Sequence, residues 1–504
     1  MSSESHTLRQ TPPAPGDRLA RVAVIGGGIS GLAAAYRLLE LSAKGGTKIA
    51  VELFEAGPRL GGVIWTERID DCLAELGADS FITNKPAAIE LCQRLKVDDR
   101  LIPTDAAHRQ ALVLRRGKPV PIPEGFMLMA PSKIGPVLAS PIFSPLGKLR
   151  LALELLVPRR KEMEDESVAS FVRRRLGAEA LDRLVQPLVA GIYTSDPEKL
   201  SLEATLPRFI EMERQHGSLI RAARSQRPGN NSAGNSSATD STPRESGARY
   251  GMFASFREGL SELVAALVRQ IEGTGRIYRE TAIRAVRRSA DSTGGWTLEA
   301  ADGRSLAFDA VIVALPAPRA AELLAPVDAE LGAALGAIEY ASSAIVVTGH
   351  FERDVAHPLN ASGLVIPAVE RRQVLSVSFA SRKFAGRAPA GQVVLRTFVG
   401  GALQPEFLER TDEELVRLVQ SELADILGVR GEPTFVRVSR HDRSMPQYHV
   451  GHRERVARIR TLLCGHPRLA FAGNAFDGVG VPDCVQSGET AAERVASTLV
   501  PVDR

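Results

Sequence analysis

Six consecutive residues constrain this fold more than any others: Gly26, Gly27, Gly28, Ile29, Ser30 and Gly31 join two apolar runs of different period. The run at 19–25 is short and continuous, as in a buried strand, and the run at 29–41 has helical spacing. A second strand is predicted at 49–54, followed at once by Glu55. Strand, glycine turn, helix and strand make one βαβ unit. In such a unit Gly26 permits the tight turn, Gly28 lets the backbone approach a pyrophosphate, and Gly31 lets helix and strand pack closely. The helix N-terminus favours anionic charge, and a carboxylate about twenty residues on can accept hydrogen bonds from ribose hydroxyls. It is this context, and not the glycines alone, that separates a dinucleotide site from an unliganded turn.

Composition bounds what surrounds that unit. At 504 residues the chain exceeds what one core sustains, so two or three packed units are expected. A formal net charge of +4 is small for this length and argues against a dedicated nucleic-acid surface. Cys72, Cys92, Cys464 and Cys484 lie far apart without a CxxC pair. They predict neither a disulfide framework nor a metal centre, and suit a reducing, cytoplasmic setting. Residues 1–19 are rich in Ser and Pro and lack an apolar stretch, which predicts a disordered leader and not a signal peptide. No window reaches about 18 uninterrupted apolar residues. The nearest candidate, 126–146, is broken by Lys133 and by Pro131, Pro136, Pro141 and Pro145. It cannot hold a straight spanning helix, although it could dip into a membrane surface.

Beyond residue 105 the periodicity changes. Amphipathic helices are predicted at 146–156, 168–176 and 179–189. The tract 225–246 is rich in Gly, Ser and Asn and nearly free of large apolar residues, which predicts a disordered loop. Strand-like runs return at 275–286, 296–300 and 308–315, and 344–399 alternates as an antiparallel sheet does. A further buried strand is expected at 469–473 and a closing helix at 488–500. The predicted architecture is α/β. A Rossmann-like FAD/NAD(P)-binding domain, split into 20–105, 250–318 and 441–504, is interrupted by a helical insert at 106–249 and a mixed-sheet substrate domain at 319–440.

What separates flavin from nicotinamide is the continuation of the motif. Glu55-Ala56-Gly57-Pro58-Arg59-Leu60-Gly61-Gly62 resembles the ExxxRxGG run of the flavin-containing amine oxidase superfamily. The resemblance implies that Arg59 approaches the cofactor phosphates, that Gly61 and Gly62 let the backbone lie against the cofactor, and that Val63 belongs to the same site. Gly77, Ala78, Asp79 and Ser80 match the stretch near the flavin. A second flavin segment is similar to 471–484, where Gly473, Val479, Gly480 and Val481 precede a helix whose N-terminus would favour the negative charge of a reduced flavin. A third resembles 308–316, and Ile283 is assigned to the same site. Three separated matches in family order imply non-covalent FAD.

Within that superfamily the chain is similar, from residue 20 onward, to the protoporphyrinogen/coproporphyrinogen oxidase family. The motifs are GIYTSDP at 191–197, GLVIP at 363–367, TFVGG at 397–401, MPQY at 445–448 with Gly451 and His452, and GVPDC at 480–484. Amine oxidases differ at the first and fourth of these. They commonly carry aromatic residues beside the flavin and a lysine for water-mediated chemistry, which no motif places here. The family implies oxidation of protoporphyrinogen IX or coproporphyrinogen III to the porphyrin in haem biosynthesis, with six electrons passed to molecular oxygen and hydrogen peroxide released. No Ser-His-Asp, HExxH or paired-carboxylate pattern is present. None is required where the cofactor carries the hard step and the protein binds, orients and shields an electron-rich ring. His108, His216 and His452 accordingly read as structural or surface groups.

By the same resemblance Val365 and Phe398 would sandwich the macrocycle, and Gly191 would let its backbone approach a pyrrole. From period alone Val365 and Phe398 are ordinary strand core. The propionate anchor departs from the family, which often places a basic residue a few positions before an Arg-x-Gly turn. Counting back from Arg115-Arg116-Gly117, that slot holds Ala111, and Arg109 is the nearest substitute. Ser378 stands where a larger aliphatic wall residue is usual. Two rival readings are an amine oxidase or isoprenoid desaturase on the same fold, and a flavin-bound scaffold or carrier without turnover. The expected partners are the porphyrinogen and oxygen, a peripheral contact with the cytoplasmic membrane, and hand-over to a ferrochelatase-type enzyme. A homodimer is compatible with the sequence, and no nucleic acid is expected.

Overall fold

The computed structural model describes residues 19–45, 47–131, 133–160, 164–225, 253–289 and 294–499. Its βαβ unit comprises β1 (Ala20–Ile25), α1 (Ile29–Ala43) and β2 (Ile49–Phe54). β3 (Arg276–Tyr278), β4 (Ala310–Val313) and β5 (Leu469–Phe471) complete a parallel sheet ordered β3-β2-β1-β4-β5. Strands buried on both faces read as continuous apolar runs, which is why β1, β4 and β5 were legible one by one. The run predicted at 275–286 divides, because Glu280 at φ 52° turns the chain between β3 and a separate strand, Ile283–Arg288.

α2 (Val481–Leu499) closes the domain against α1. It starts seven residues before the predicted 488, since Pro482 in a first turn has no intrahelical hydrogen bond to forfeit. Gly488 instead serves the crossing: a Cβ there would stand 2.2 Å from the Ser30 carbonyl oxygen. Leu32, Leu38, Leu53, Leu263, Leu267 and Val485 form the core on this face of the sheet. On the other face a meander of Ile283–Arg288, Trp296–Ala300 and Ser305–Phe308 packs with helices Ala317–Leu324 and Ala329–Gly336.

The second sheet has seven strands, ordered Phe435–Pro446, Tyr340–Phe351, Gln392–Gly400, Ser376–Phe379, Gly363–Val365, Ala111–Arg115 and Lys118–Pro121. Only Gly363–Val365 beside Ala111–Arg115 is a parallel pair. The sheet draws two strands from the 106–249 stretch, and one strand runs across the 440/441 boundary. Helix Asp412–Leu427, closed by a Thr411/Glu414 capping box and by Gly428 in a left-handed conformation, covers its outer face.

The inner face looks toward the helical insert, where Pro145–Ala152, Val168–Arg175, Gln186–Tyr193, Pro207–His216 and Leu219–Ser225 share one core. Phe126, Ile142 and Phe143 of the Pro-interrupted stretch are buried in that core, whereas Leu138, Leu146, Leu149 and Leu156 are exposed. Among the described residues no helix is long and apolar enough to cross a membrane. The leader predicted at 1–19 and the tract predicted at 225–246 lie, apart from Leu19 and Ser225, outside the described residues.

Candidate cofactor and substrate site

β1, β2, β4 and β5 all end at the same edge of the parallel sheet, where ligands of open α/β sheets bind. Gly26 has φ 108°, and a Cβ on it would meet the Ala314 carbonyl oxygen at 2.4 Å. A Cβ on Gly31 would meet the Gly26 carbonyl oxygen at 1.9 Å. Gly28 differs from both: its Cβ would meet nothing nearer than the Gly62 Cα at 4.0 Å. The backbones at Gly28 and Gly61 form a parallel bridge, so the two glycine turns lie side by side with an open face. Ile29 and Ser30 open α1 and are buried behind that face.

The Glu55 carboxylate stands at the end of β2 and accepts from the Gly27 N–H through Oε2 and the Gly57 N–H through Oε1, both at 2.8 Å. Ile283 packs with Phe54 and Tyr278 behind this point. The Arg59 guanidinium donates to the carbonyls of Leu60, Ile64 and Gly62 and lies 4.8 Å above the Trp65 ring. Val63 is exposed, and its carbonyl accepts from Ala78 N–H at 3.0 Å. A Cβ on Gly77 would lie 1.7 Å from that same oxygen. The 62–63 and 77–78 segments are therefore held back to back.

From the far end of the chain, Gly473 N–H donates to Ser487 Oγ and Gly480 N–H to Asp483 Oδ2. Val479 packs into the insert core and Val481 into the core beneath α1. Because α2 crosses α1 at Gly488, the N-terminal ends of both helices converge on this edge. An open glycine face, a fixed carboxylate and two positive helix ends fit the pyrophosphate and ribose of a dinucleotide.

Asp79 is half-buried and pairs with Lys383 Nζ at 2.9 Å and Arg396 Nη1 at 2.8 Å, while Ser80 Oγ donates to its Oδ1. Burial alone would raise its pKa, but Lys383 and then Arg396 hold the carboxyl well below the usual range. Lys383 is the buried lysine that motif reading missed; in an Ser-Arg-Lys-Phe run it has the appearance of a surface cation. Arg396 also donates to the carbonyls of Glu75 and Gly77. His441 Nε2 reaches the Leu76 carbonyl oxygen at 2.8 Å, and burial lowers its pKa, as do Arg396 and Arg59. It was missed because a histidine on an alternating strand carries no local signal.

The predicted substrate residues fall into three groups. A Cβ on Gly191 would stand 3.8 Å from Val365 Cγ1, so these two are neighbours across the helix–sheet gap. Val365 pairs with Ser376 and Ser376 with Phe398, all three on the inner sheet face. Two strand spacings, about 9.5 Å, separate Val365 from Phe398, with only a serine between them. One step along, Gly363, Ser378 and Arg396 form a parallel row, and Ser378 Oγ is buried without a hydrogen bond among the described residues. Arg109 stands apart. It is exposed and follows a 3-10 turn capped by Asp105, in helical conformation, so strand alternation does not extend back to it from Ala111.

The MPQY and Gly-His motif works at the junction. Tyr448 donates to the Asn474 carbonyl at 2.5 Å and accepts from Gly478 N–H at 3.0 Å. Gln447 Nε2 donates to the Tyr193 carbonyl at 3.4 Å, at the end of the helix that carries Gly191. His452 is buried and contacts the Phe476 carbonyl through Nε2, and burial pushes its pKa down to about 4.

Comparison with known proteins agrees with this geometry. The chain is 33% identical over 471 residues to coproporphyrinogen III oxidase of Bacillus subtilis (strain 168), covering 93% of this chain and 96% of that protein. It is 32% identical to coproporphyrinogen III oxidase of Staphylococcus aureus (strain NCTC 8325 / PS 47), covering 95% and 99%. A crystal structure from Exiguobacterium sp. 255-15, provisionally named a protoporphyrinogen oxidase, superposes with a TM-score of 0.82 at 30% identity, covering 95% of this chain and 99% of that one. The family model for flavin containing amine oxidoreductases matches residues 29–496. The chain therefore belongs to the flavin-containing amine oxidoreductase family, and its cofactor is FAD.

Proposed function

We propose that this protein oxidises a porphyrinogen, with coproporphyrinogen III as substrate, to the porphyrin, passing six electrons to three molecules of oxygen and releasing three of hydrogen peroxide. The observation that carries the reading is the row Val365–Ser376–Phe398 under Gly191. The flat porphyrin product, in contact with carbon on both faces, needs about 7–8 Å between its walls. A valine and a phenylalanine flanking a serine leave a slot of that order, and a glycine on the facing helix adds no bulk. The near-full-length relatives named for coproporphyrinogen III support this substrate over protoporphyrinogen IX.

Bound FAD supplies the two-electron acceptor. The chain's own groups hold and shield the ring. Titratable groups behind the slot are already engaged, Asp79 by Lys383 and Arg396, and His441 by the Leu76 carbonyl. A porphyrinogen suits such a wall because its meso carbon lies between two electron-rich pyrroles and its pyrrole N–H proton leaves readily. Peripheral membrane contact through the exposed leucines of 138–156 would hold the enzyme near the next one, of ferrochelatase type.

The test is an aerobic fluorescence assay with chemically reduced coproporphyrin III, reduced protoporphyrin IX and a panel of primary amines. Faster porphyrin formation from the first, with no peroxide from the amines, is expected. Amine-dependent peroxide without porphyrin formation would replace this reading with the amine oxidase one.

A further inference from the structure

We infer that Arg115 and Arg183 form a carboxylate-binding rim at one end of the Val365–Phe398 slot, and that the rim takes a propionate of a tetrapyrrole. This deepens the porphyrinogen reading and rests on it. Ala111, Val113 and Arg115 alternate onto the inner face of one strand, where Ala111 stands beside Gly363 and Val113 beside Val365 in parallel register. Arg115 lies two residues past Val113, about 6.6 Å along the strand. The cation missing at Ala111 is thus present on the same face of the same strand, beyond Val365 instead of before it.

Arg183 approaches this end from the helical side. It sits in the π turn Leu181–Val185, which runs directly into the helix bearing Gly191. Such turns inside helices are frequent at functional sites. Arg183 Nη1 donates to Glu370 Oε1 at 2.6 Å, and Glu370 Oε2 accepts from Gly117 N–H at 3.2 Å. One carboxylate therefore joins the helix, the hairpin after Arg115 and the turn after Val365.

The carboxylates nearest Arg115 are already engaged. Arg115 has Arg183 and Arg116 as repelling neighbours and Glu179 and Glu370 as attracting ones, while Asp182 interacts with Arg183. Both carboxylates are committed, Glu370 as above and Glu179 to the N–H and Oγ of Ser144 at 2.8 and 2.7 Å. Arg115 Nε donates to the Pro141 carbonyl at 2.6 Å, and its two Nη groups make no hydrogen bond to any described residue. A partly exposed guanidinium fork beside an apolar wall suits a carboxylate. A ring with four propionates presents one to the rim in any orientation, whereas a ring with two has a side that presents none. The rim thereby favours coproporphyrinogen III.

The experiment titrates FAD-loaded wild type, Arg115→Ala and Arg183→Ala with coproporphyrin III, its tetramethyl ester and protoporphyrin IX, followed by porphyrin fluorescence. Each variant should bind coproporphyrin III about tenfold more weakly, the loss of one charge-assisted hydrogen bond. Binding of the ester should not change, and FAD content should stay at the wild-type level. Undiminished coproporphyrin III binding by both variants overturns the rim. So does equal weakening of the ester, which would report lost packing. Should Arg183→Ala shed FAD, Arg115→Ala, which has no side-chain partner, decides alone. A wild-type protein that binds none of the three porphyrins removes the porphyrinogen reading itself, a result distinct from failure of the rim.

Discussion

The Tyr448 phenol lies flat on the His452 imidazole, with ring centroids 3.9 Å apart and planes 14° from parallel. The stack aims the phenol at Asn474 and Gly478 and the imidazole at Phe476, so two residues fix the loop leading into α2. Tyr448→Phe keeps the stack and removes both hydrogen bonds of the hydroxyl. At about 1.4 kcal/mol for the loop's anchoring, FAD should dissociate about tenfold more readily. Titration of apoprotein with FAD, followed by flavin fluorescence, checks this; unchanged affinity would show that the loop does not need the phenol. With a pKa near 4, His452 stays neutral from pH 5 to 8, so the affinity should be flat across that range as far as His452 is concerned.

Gly28 and Gly31 belong to one motif but should fail differently. Gly31→Ala places a methyl 1.9 Å from the Gly26 carbonyl oxygen, a backbone clash that side-chain motion cannot relieve. It should cost several kcal/mol of stability, read as a lower thermal midpoint of the apoprotein. Gly28→Ala points its methyl at open space beside Gly62, so the apoprotein midpoint should hold while FAD binding weakens tenfold or more. Equal midpoints for the two variants would refute the distinction.

Glu75 is buried beneath the Lys383–Arg396 cluster, and burial raises its pKa to about 7, against the hydrogen bonds from Thr66 and Leu260 and the nearby Arg387 and Arg396. The folded chain therefore holds this proton more tightly than the unfolded chain, whose glutamate titrates near 4.5. That stabilisation is complete below about pH 4.5 and is lost as pH rises through about 7, by up to about 3 kcal/mol. Glu75→Gln, which cannot ionise, should gain on wild type between pH 5 and 8 in urea denaturation. A difference independent of pH would mean that Glu75 is ionised throughout.

The parallel sheet and glycine turns were legible because buried strands and positive-φ glycines leave local traces: an unbroken apolar run, or a residue type no other can replace. The proposed substrate site was only half legible. Gly191 and Val365 came from motif likeness, and their contact depends on residues 174 positions apart in the chain. Lys383, Arg396 and His441 carry no local pattern, because each is defined by a partner on another strand. Arg109 was misleading for the converse reason: its distance along the chain from Ala111 fits an alternating strand, but the 3-10 turn ends just before it.

The exposed leucines offer the last test. Leu146 and Leu156 are 79% and 77% exposed, and Leu138 and Leu149 stand out beside them. A segment that turns this many leucines to water gains by burying them elsewhere, each contributing about 1.5 kcal/mol or more. The segment is anchored from beneath by Glu154, which pairs with Arg175 in complete burial and accepts from the N–H groups of Leu219 and Ile220. Removing either charge would be costly, but the leucines above can change without touching it. Wild type should float with vesicles of phosphatidylglycerol and phosphatidylethanolamine, and Leu146→Glu/Leu156→Glu should remain at the bottom of the gradient. The double variant should keep its thermal midpoint to within a degree or two and its activity in detergent-free buffer, since exposed substitutions seldom shift stability by more than about 0.5 kcal/mol. Wild type that stays off the vesicles would assign these leucines to another partner, and a variant that unfolds would show that they pack more than their exposure indicates.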